Sequence, residues 1–268
     1  MIPELSASKV AGFIGLHKYQ NPDEIFYELL ARDLVGKTRI AELQQKYNRQ
    51  SYNKIVNEIL KDSAVRDCIA CGVSAANRTS NVTDVLEEVQ KQATAVLALR
   101  HDKLPEELRN RLADEVRGQV SKQRGLVNEE KILDTYEAAR EVKVTERNTK
   151  TIKKDMGIYR LVGRCDGYVA DQKRIVDSKD RTRKWPSVPL YDEIQLRCYM
   201  QMYDALESEL IERFPDKTNR HTVYANDPEK WKHLHELIER NVNRLNLALE
   251  DEEELKRIVF ANTVEIQV

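Results

Sequence analysis

Residues 163 to 203 read GRCDGYVADQKRIVDSKDRTRKWPSVPLYDEIQLRCYMQMY, and the first half of this stretch decides the fold. Leu161 to Val169 alternates, with Asp166 inside the run. Asp171-Gln172-Lys173 is a short polar turn, and Arg174-Ile175-Val176-Asp177-Ser178-Lys179 is a second β-branched run. Two such runs around a short turn predict a β-hairpin. On a strand, Asp177 and Lys179 leave the same face, and Asp166 on the partner strand can reach it. Two carboxylates and an ammonium are thereby gathered at one sheet surface. Hard divalent cations take oxygen ligands, and a carboxylate-held cation beside a lysine suits phosphodiester cleavage. Local alternatives exist. Asp before Gly is a common turn pair, and Asp177 with Lys179 could be an exposed ion pair. Ile175-Val176 weighs against them, because carboxylates at the end of a buried strand are costly unless paired or metal-bound.

Asp166…Asp177-Ser178-Lys179 resembles the PD-(D/E)xK nuclease signature. Three further blocks extend the likeness: Ser8 to Tyr19, Arg124-Gly125-Leu126-Val127-Asn128-Glu129, and Gln195 with Tyr199. In that order they are similar to the YqaJ and lambda-type viral exonucleases, possible relatives in large DNA viruses included. Residues 31 to 120 stay outside the resemblance. It implies an α/β fold with a PD-(D/E)xK restriction-endonuclease-like core: a small mixed sheet flanked by helices, with a helical insertion. It implies a Mg²⁺-dependent exonuclease, with Mn²⁺ as a substitute, acting 5′ to 3′ on double-stranded DNA ends in recombination and repair. Glu129, Asp166, Asp177 and the Ser178 carbonyl would hold metal. Lys179 would orient or activate water or donate to the phosphate, and Gln195 would bind the phosphate or Lys179. Ser8 would lie near DNA phosphates, and Tyr199, on the helix of Gln195, would also contact DNA. A single-strand annealing protein is the implied partner, and a homo-oligomer the implied assembly. The family's arginine ahead of the N-terminal serine has no counterpart in Met1 to Leu5, so 5′-phosphate dependence is not carried over.

The 268 residues suit a single nuclease domain, with residues 38 to 122 a helical subdomain and residues 123 to 225 the catalytic core. Charged residues make up 33 %, yet the net charge is -1, which excludes a generally basic nucleic-acid binder but leaves room for a local basic groove. Arg181, Arg183 and Lys184, followed by Trp185, are the candidate DNA contacts: cations for phosphates, an aromatic for a base. No run of 18 apolar residues occurs, and Met1-Ile2-Pro3-Glu4 lacks the character of a signal peptide. A soluble intracellular protein with no membrane partner is expected, in a host cell if the source is viral. Cys68 and Cys71 have zinc-ligand spacing, but no second pair completes a tetrahedral site, so buried thiols are expected.

Residues 6 to 35 predict two short helices, the second starting at Asn21-Pro22-Asp23. Residues 38 to 122 predict helices almost throughout, broken by a polar loop from Cys71 to Asn81. A helix from about Asn128 to Arg140 carries Glu129, with Asn128 as its N-cap; a first-turn glutamate can equally serve the helix dipole. Val142 to Glu146 predicts a strand, turned by Asn148-Thr149. A helix follows from about Pro189 to Ala205, then a short strand at His221 to Ala225 and a long helix from Pro228 to about Leu249. Two other functions fit the same residues: a structure-selective endonuclease, or a non-catalytic DNA-binding protein.

Overall fold

The computed structural model describes residues 1–265. The chain opens with β1 (Glu4–Ser6), a 3-10 turn at Ala7–Lys9, then α1 (Val10–Phe13), α2 (Pro22–Leu30) and α3 (Leu34–Lys46). Asn21 caps α2 as expected, its side chain accepting from the Asp23 amide at 3.0 Å. A helical group follows: β2 (Arg49–Ser51), α4 (Tyr52–Ile59), α5 (Ser63–Arg78), α6 (Val82–Arg100) and α7 (Glu106–Arg140). Then come β3 (Ile152–Asp155), β4 (Arg160–Gly163), β5 (Gly167–Val169), β6 (Arg174–Asp180), α8 (Leu190–Tyr203), β7 (Glu207–Arg213), β8 (Asn219–Ala225), α9 (Pro228–Leu247), α10 (Glu252–Ala261) and β9 (Thr263–Glu265).

The central sheet has the order β5-β6-β7-β8. β5 and β6 are antiparallel, β6 and β7 parallel, and β7 and β8 antiparallel. The parallel pair needs a crossover, which α8 supplies. Alternation splits β6 and β7 between two cores. Ile175 and Leu210 join α8, α9, α10 and the N-terminal helices, whereas Val176 and Ile211 pack on Ile132, Leu133 and Tyr136 of α7. The sheet therefore lies between α8 and the C-terminal half of α7. The N-terminal half of α7 joins α4, α5 and α6 around a separate core that includes Ile59, Val65, Ile69, Leu86, Val89, Leu97, Leu112 and Val120.

Several boundaries differ from expectation. The alternating run at 161 to 169 is two strands in two sheets, because it breaks at Arg164, Cys165 and Asp166. β4 belongs to a three-stranded sheet, parallel to β1 and antiparallel to β3. The loop expected from Cys71 to Asn81 is helix as far as Arg78. Glu129 does not start a helix; it lies deep in the 35-residue α7, which passes straight through Gly118 and Gly125. Asn128 is therefore no cap: its buried amide donates to Asp180 Oδ2 at 2.7 Å and to Asn77 Oδ1 at 2.9 Å. The strand expected at Val142 to Glu146 is reduced to one bridge, Thr145 with Tyr168. Among the described residues, no helix is long and apolar enough to cross a membrane, and Cys68, Cys71, Cys165 and Cys198 are all free thiols.

Candidate active site

The hairpin brings the expected pair together. Lys179 Nζ lies 2.6 Å from Asp177 Oδ2, because residues two apart on β6 share the face turned to α8. Asp177 is 1 % exposed, and its other oxygen, Oδ1, is buried with no hydrogen-bond partner among the described residues. Asp166 sits in the bend just before β5, where the register Gly167 with Val176 puts it beside β6. Asp166 Oδ2 accepts from the Ser178 amide at 2.8 Å and from Ser178 Oγ at 3.2 Å.

Glu129 projects from α7 and is half-buried, whereas Glu130 is exposed. The Asn148 side-chain amide donates to Glu129 Oε1. Asn148 reaches it from a left-handed backbone conformation, φ 48°, which Asn tolerates better than most residues. Burial raises the pKa of all three carboxyls. For Glu129 the Asp177 charge adds to burial. Burial and Glu129 raise Asp166 against the pull of Lys179. Burial takes Asp177 up to about 7, with Lys179 opposing and Asp166 adding. Burial works against the Lys179 ammonium, but Asp177, Asp166 and Asp192 outweigh it and hold the group above the ordinary lysine range.

Among the described residues, no three Asp, Glu, His or Cys side chains close into a ready cation cage. Lys179, Ser178 and Asn148 hold the carboxylates individually. The donor set nevertheless fits a hard divalent cation. All available atoms are oxygens, and Asp177 Oδ1 is a buried acceptor left open.

α8 closes the site. Gln195 Nε2 donates to Tyr199 Oη at 3.0 Å, and the Tyr199 pKa is raised by burial and then by the Asp177 charge. Two expected DNA contacts are corrected. Tyr199 is 5 % exposed and packs under Gly163, so no face of it is open to DNA. The Arg181 side chain is 10 % exposed, and its guanidinium is held between Asp192 Oδ2 at 2.6 Å and Glu212 Oε1 at 2.8 Å. It directly follows β6, turned to α8 as Asp177 and Lys179 are, and two buried carboxylates claim it. Arg183 and Lys184 do remain exposed. The Arg183 guanidinium stacks over Trp185 at 4.4 Å, and Lys184 lies 3.5 Å from Asp216. Ser8 is exposed in the 3-10 turn after β1, with its Oγ 3.0 Å from Ser6 Oγ.

Five residues had no site role in the sequence reading: Asn148, Arg164, Asp192 and the Arg124–Asp180 pair. Arg164 is exposed, and its charge acts on Glu129. Arg124 NH1 meets Asp180 Oδ2 at 2.9 Å, joining α7 to the end of β6. The only signal for that pair was its place beside the motif, Asp180 following Lys179.

Against this geometry, a family model described as PD-(D/E)XK nuclease superfamily matches residues 63–262. The match starts at the first residue of α5, so it takes in most of the helical group as well as the sheet. Among solved structures, an alkaline exonuclease from Laribacter hongkongensis is 16 % identical over 53 % of this chain and 75 % of its own, with a TM-score of 0.40. A phage-related exonuclease from Haemophilus somnus 129PT is 15 % identical over 53 % of this chain and 73 % of its own, with a TM-score of 0.37. The Laribacter enzyme in complex with dAMP is 19 % identical over 63 % of this chain and 92 % of its own, with a TM-score of 0.37. No curated protein matches.

Proposed function

The chain belongs to the PD-(D/E)XK nuclease superfamily, and from that premise we propose that it is a Mg²⁺-dependent exonuclease that degrades DNA 5′ to 3′ from duplex ends in viral or phage recombination and repair. The observation that carries the catalytic assignment is Asp177: a buried carboxylate on a core strand, one oxygen on Lys179 and the other open. Such a group is costly to bury unless it is paired or metal-bound, and Lys179 pairs only one of its two oxygens. Glu129, Asp166, Asp177 and the Ser178 carbonyl would hold Mg²⁺ or Mn²⁺. A divalent cation there would place positive charge at the scissile phosphate and make a bound water more acidic.

The chain's own groups supply the rest. Lys179 is held as an ammonium by Asp177, Asp166 and Asp192. From its place beside Asp177 it would donate to the phosphate or orient or activate the attacking water. Gln195 donates to Tyr199, which orients its carboxamide beside the α8-facing side of β6. Arg183, Lys184 and Trp185 on the exposed segment after β6 offer phosphate contacts and a stacking surface. Asn148 orients Glu129 from the opposite side.

The test is digestion of linear duplex, labelled at either the 5′ or the 3′ end, beside a closed circle of the same sequence. With Mg²⁺, the 5′ label should be released first, the circle should stay closed, and EDTA should abolish both signals. Nicking of the circle would replace the exonuclease with an endonuclease, and digestion in EDTA would remove the metal from the mechanism.

A further inference from the structure

Asp192 enters the assignments above only through its charge on Lys179, yet it is 3 % exposed and lies in the first turn of α8. Its Oδ2 takes the Arg181 guanidinium at 2.6 Å. The same guanidinium meets Glu212 Oε1 at 2.8 Å, and Glu212 Oε2 accepts from Arg220 Nε at 2.6 Å. Arg220 NH1 then donates to the Trp185 carbonyl at 2.9 Å. Four alternating charges thus run from α8 through β6 and β7 to β8. Buried charges in such a row are poor general stabilisers, but they are well suited to fixing one arrangement among several.

The arrangement fixed here is the setting of α8 on β6. Asp192, Gln195 and Tyr199 are three and four residues apart, so they form one stripe on the helix. Arg181, Lys179 and Asp177 are two apart, so they form one stripe on the strand. Helix and strand run in opposite directions across the contact: Asp192 meets Arg181 at one end, and Tyr199 lies in the field of Asp177 at the other. The helix stripe spans about 10 Å and the strand stripe about 13 Å, close enough for the two to lie in step. Gln195, between the ends, is therefore brought to the level of Lys179. At the far end Tyr199 is wedged against β4 of the neighbouring sheet, since a Cβ on Gly163 would lie 2.8 Å from Tyr199 Cε1. An apolar helix face could slide along the strand at little cost; a buried ion pair at its first turn cannot.

We propose that Asp192 is a positioning residue of the nuclease site: paired with Arg181, it sets α8 on β6 and so aligns Gln195 with Lys179. This rests on the proposed cleavage reaction. The experiment is a double-mutant cycle of Asp192→Asn and Gln195→Ala. The readouts are single-turnover cleavage of linear duplex in Mg²⁺, binding of the same duplex by anisotropy in Ca²⁺, and thermal melting. Asp192→Asn should lower the cleavage rate about tenfold, the size of a lost alignment, with DNA affinity within about twofold of wild type. Gln195→Ala should lower the rate as well, and the double variant should be no slower than Gln195→Ala alone. Arg181→Lys keeps the charge but loses the fork between two carboxylates; it runs through the same cycle and decides the question if Asp192→Asn does not fold. Multiplying effects in the cycle, or a loss confined to DNA affinity, overturns the proposal. A wild-type protein that cleaves no duplex under any divalent metal sinks the proposed function itself, which is a separate result.

Discussion

Replacing Arg181 with alanine should damage the fold and leave the electrostatics of DNA binding alone. The guanidinium is buried between Asp192 and Glu212, and the Lys179 ammonium, which also acts on Asp192, is already paired with Asp177. Glu212 would retain Arg220 at 2.6 Å, but Asp192 would keep a buried charge without its ion-pair partner. Removing one member of a buried pair costs about 3–5 kcal/mol, and the retained Arg220 places this case near about 3 kcal/mol. In a chain of this size, that should lower the melting temperature by roughly 6–12 °C. The salt dependence of DNA binding reports phosphates neutralised, at about 0.9 of a log-log slope unit each. Arg181→Ala should leave that slope unchanged, whereas Arg183→Ala, at an exposed cation, should flatten it by about one unit. Differential scanning calorimetry and a salt series of DNA anisotropy read the two quantities. An unchanged melting temperature with a slope reduced by one unit would refute the buried placement and return Arg181 to the DNA.

Glu129→Gln should raise the Mg²⁺ concentration needed for half-maximal cleavage, because one of three anionic donors is lost; an unshifted titration would leave Glu129 as a helix residue only. Lys179→Ala should cut the single-turnover rate while calorimetric Ca²⁺ affinity holds or rises, since a neighbouring cation has gone; lost metal binding with a normal rate at saturating metal would make the lysine structural. Gly163→Ala should force Tyr199 and Ala7 apart, at about 1–3 kcal/mol of overpacking, and slow cleavage through Gln195. A Gly163→Ala protein with wild-type melting and rate would show that α8 tolerates displacement.

The hairpin was legible because it rests on local rules. The polar turn at Asp171 to Lys173 does return the chain, through a left-handed Lys173 with φ 46°, and the two-residue spacing of Asp177 and Lys179 does pair them. α8 and α9 were legible by their three-and-four spacing. What failed was non-local. Within Leu161 to Val169 the Asp166-Gly167 turn pair is the one local mark of a break, and it does not reveal that β4 leaves for β1, far back in the chain, while β5 pairs with β6. Asn128 reads as a cap, yet packing on both halves of α7 carries the helix through it and through Gly118 and Gly125, against a cost of only about 1 kcal/mol per glycine. Arg181 read as a surface cation because its partners, Asp192 and Glu212, lie 11 and 31 residues further along the chain.

The central claim is that Asp177 is the carboxylate on which cleavage depends. The direct measurement is single-turnover digestion of end-labelled linear duplex by Asp177→Asn, in saturating Mg²⁺ and in Mn²⁺, beside wild type and with melting curves for both. The amide keeps the shape of the side chain and removes its charge. The account predicts cooperative melting with cleavage at background in either metal. A folded Asp177→Asn protein that degrades the duplex at the wild-type rate would contradict it.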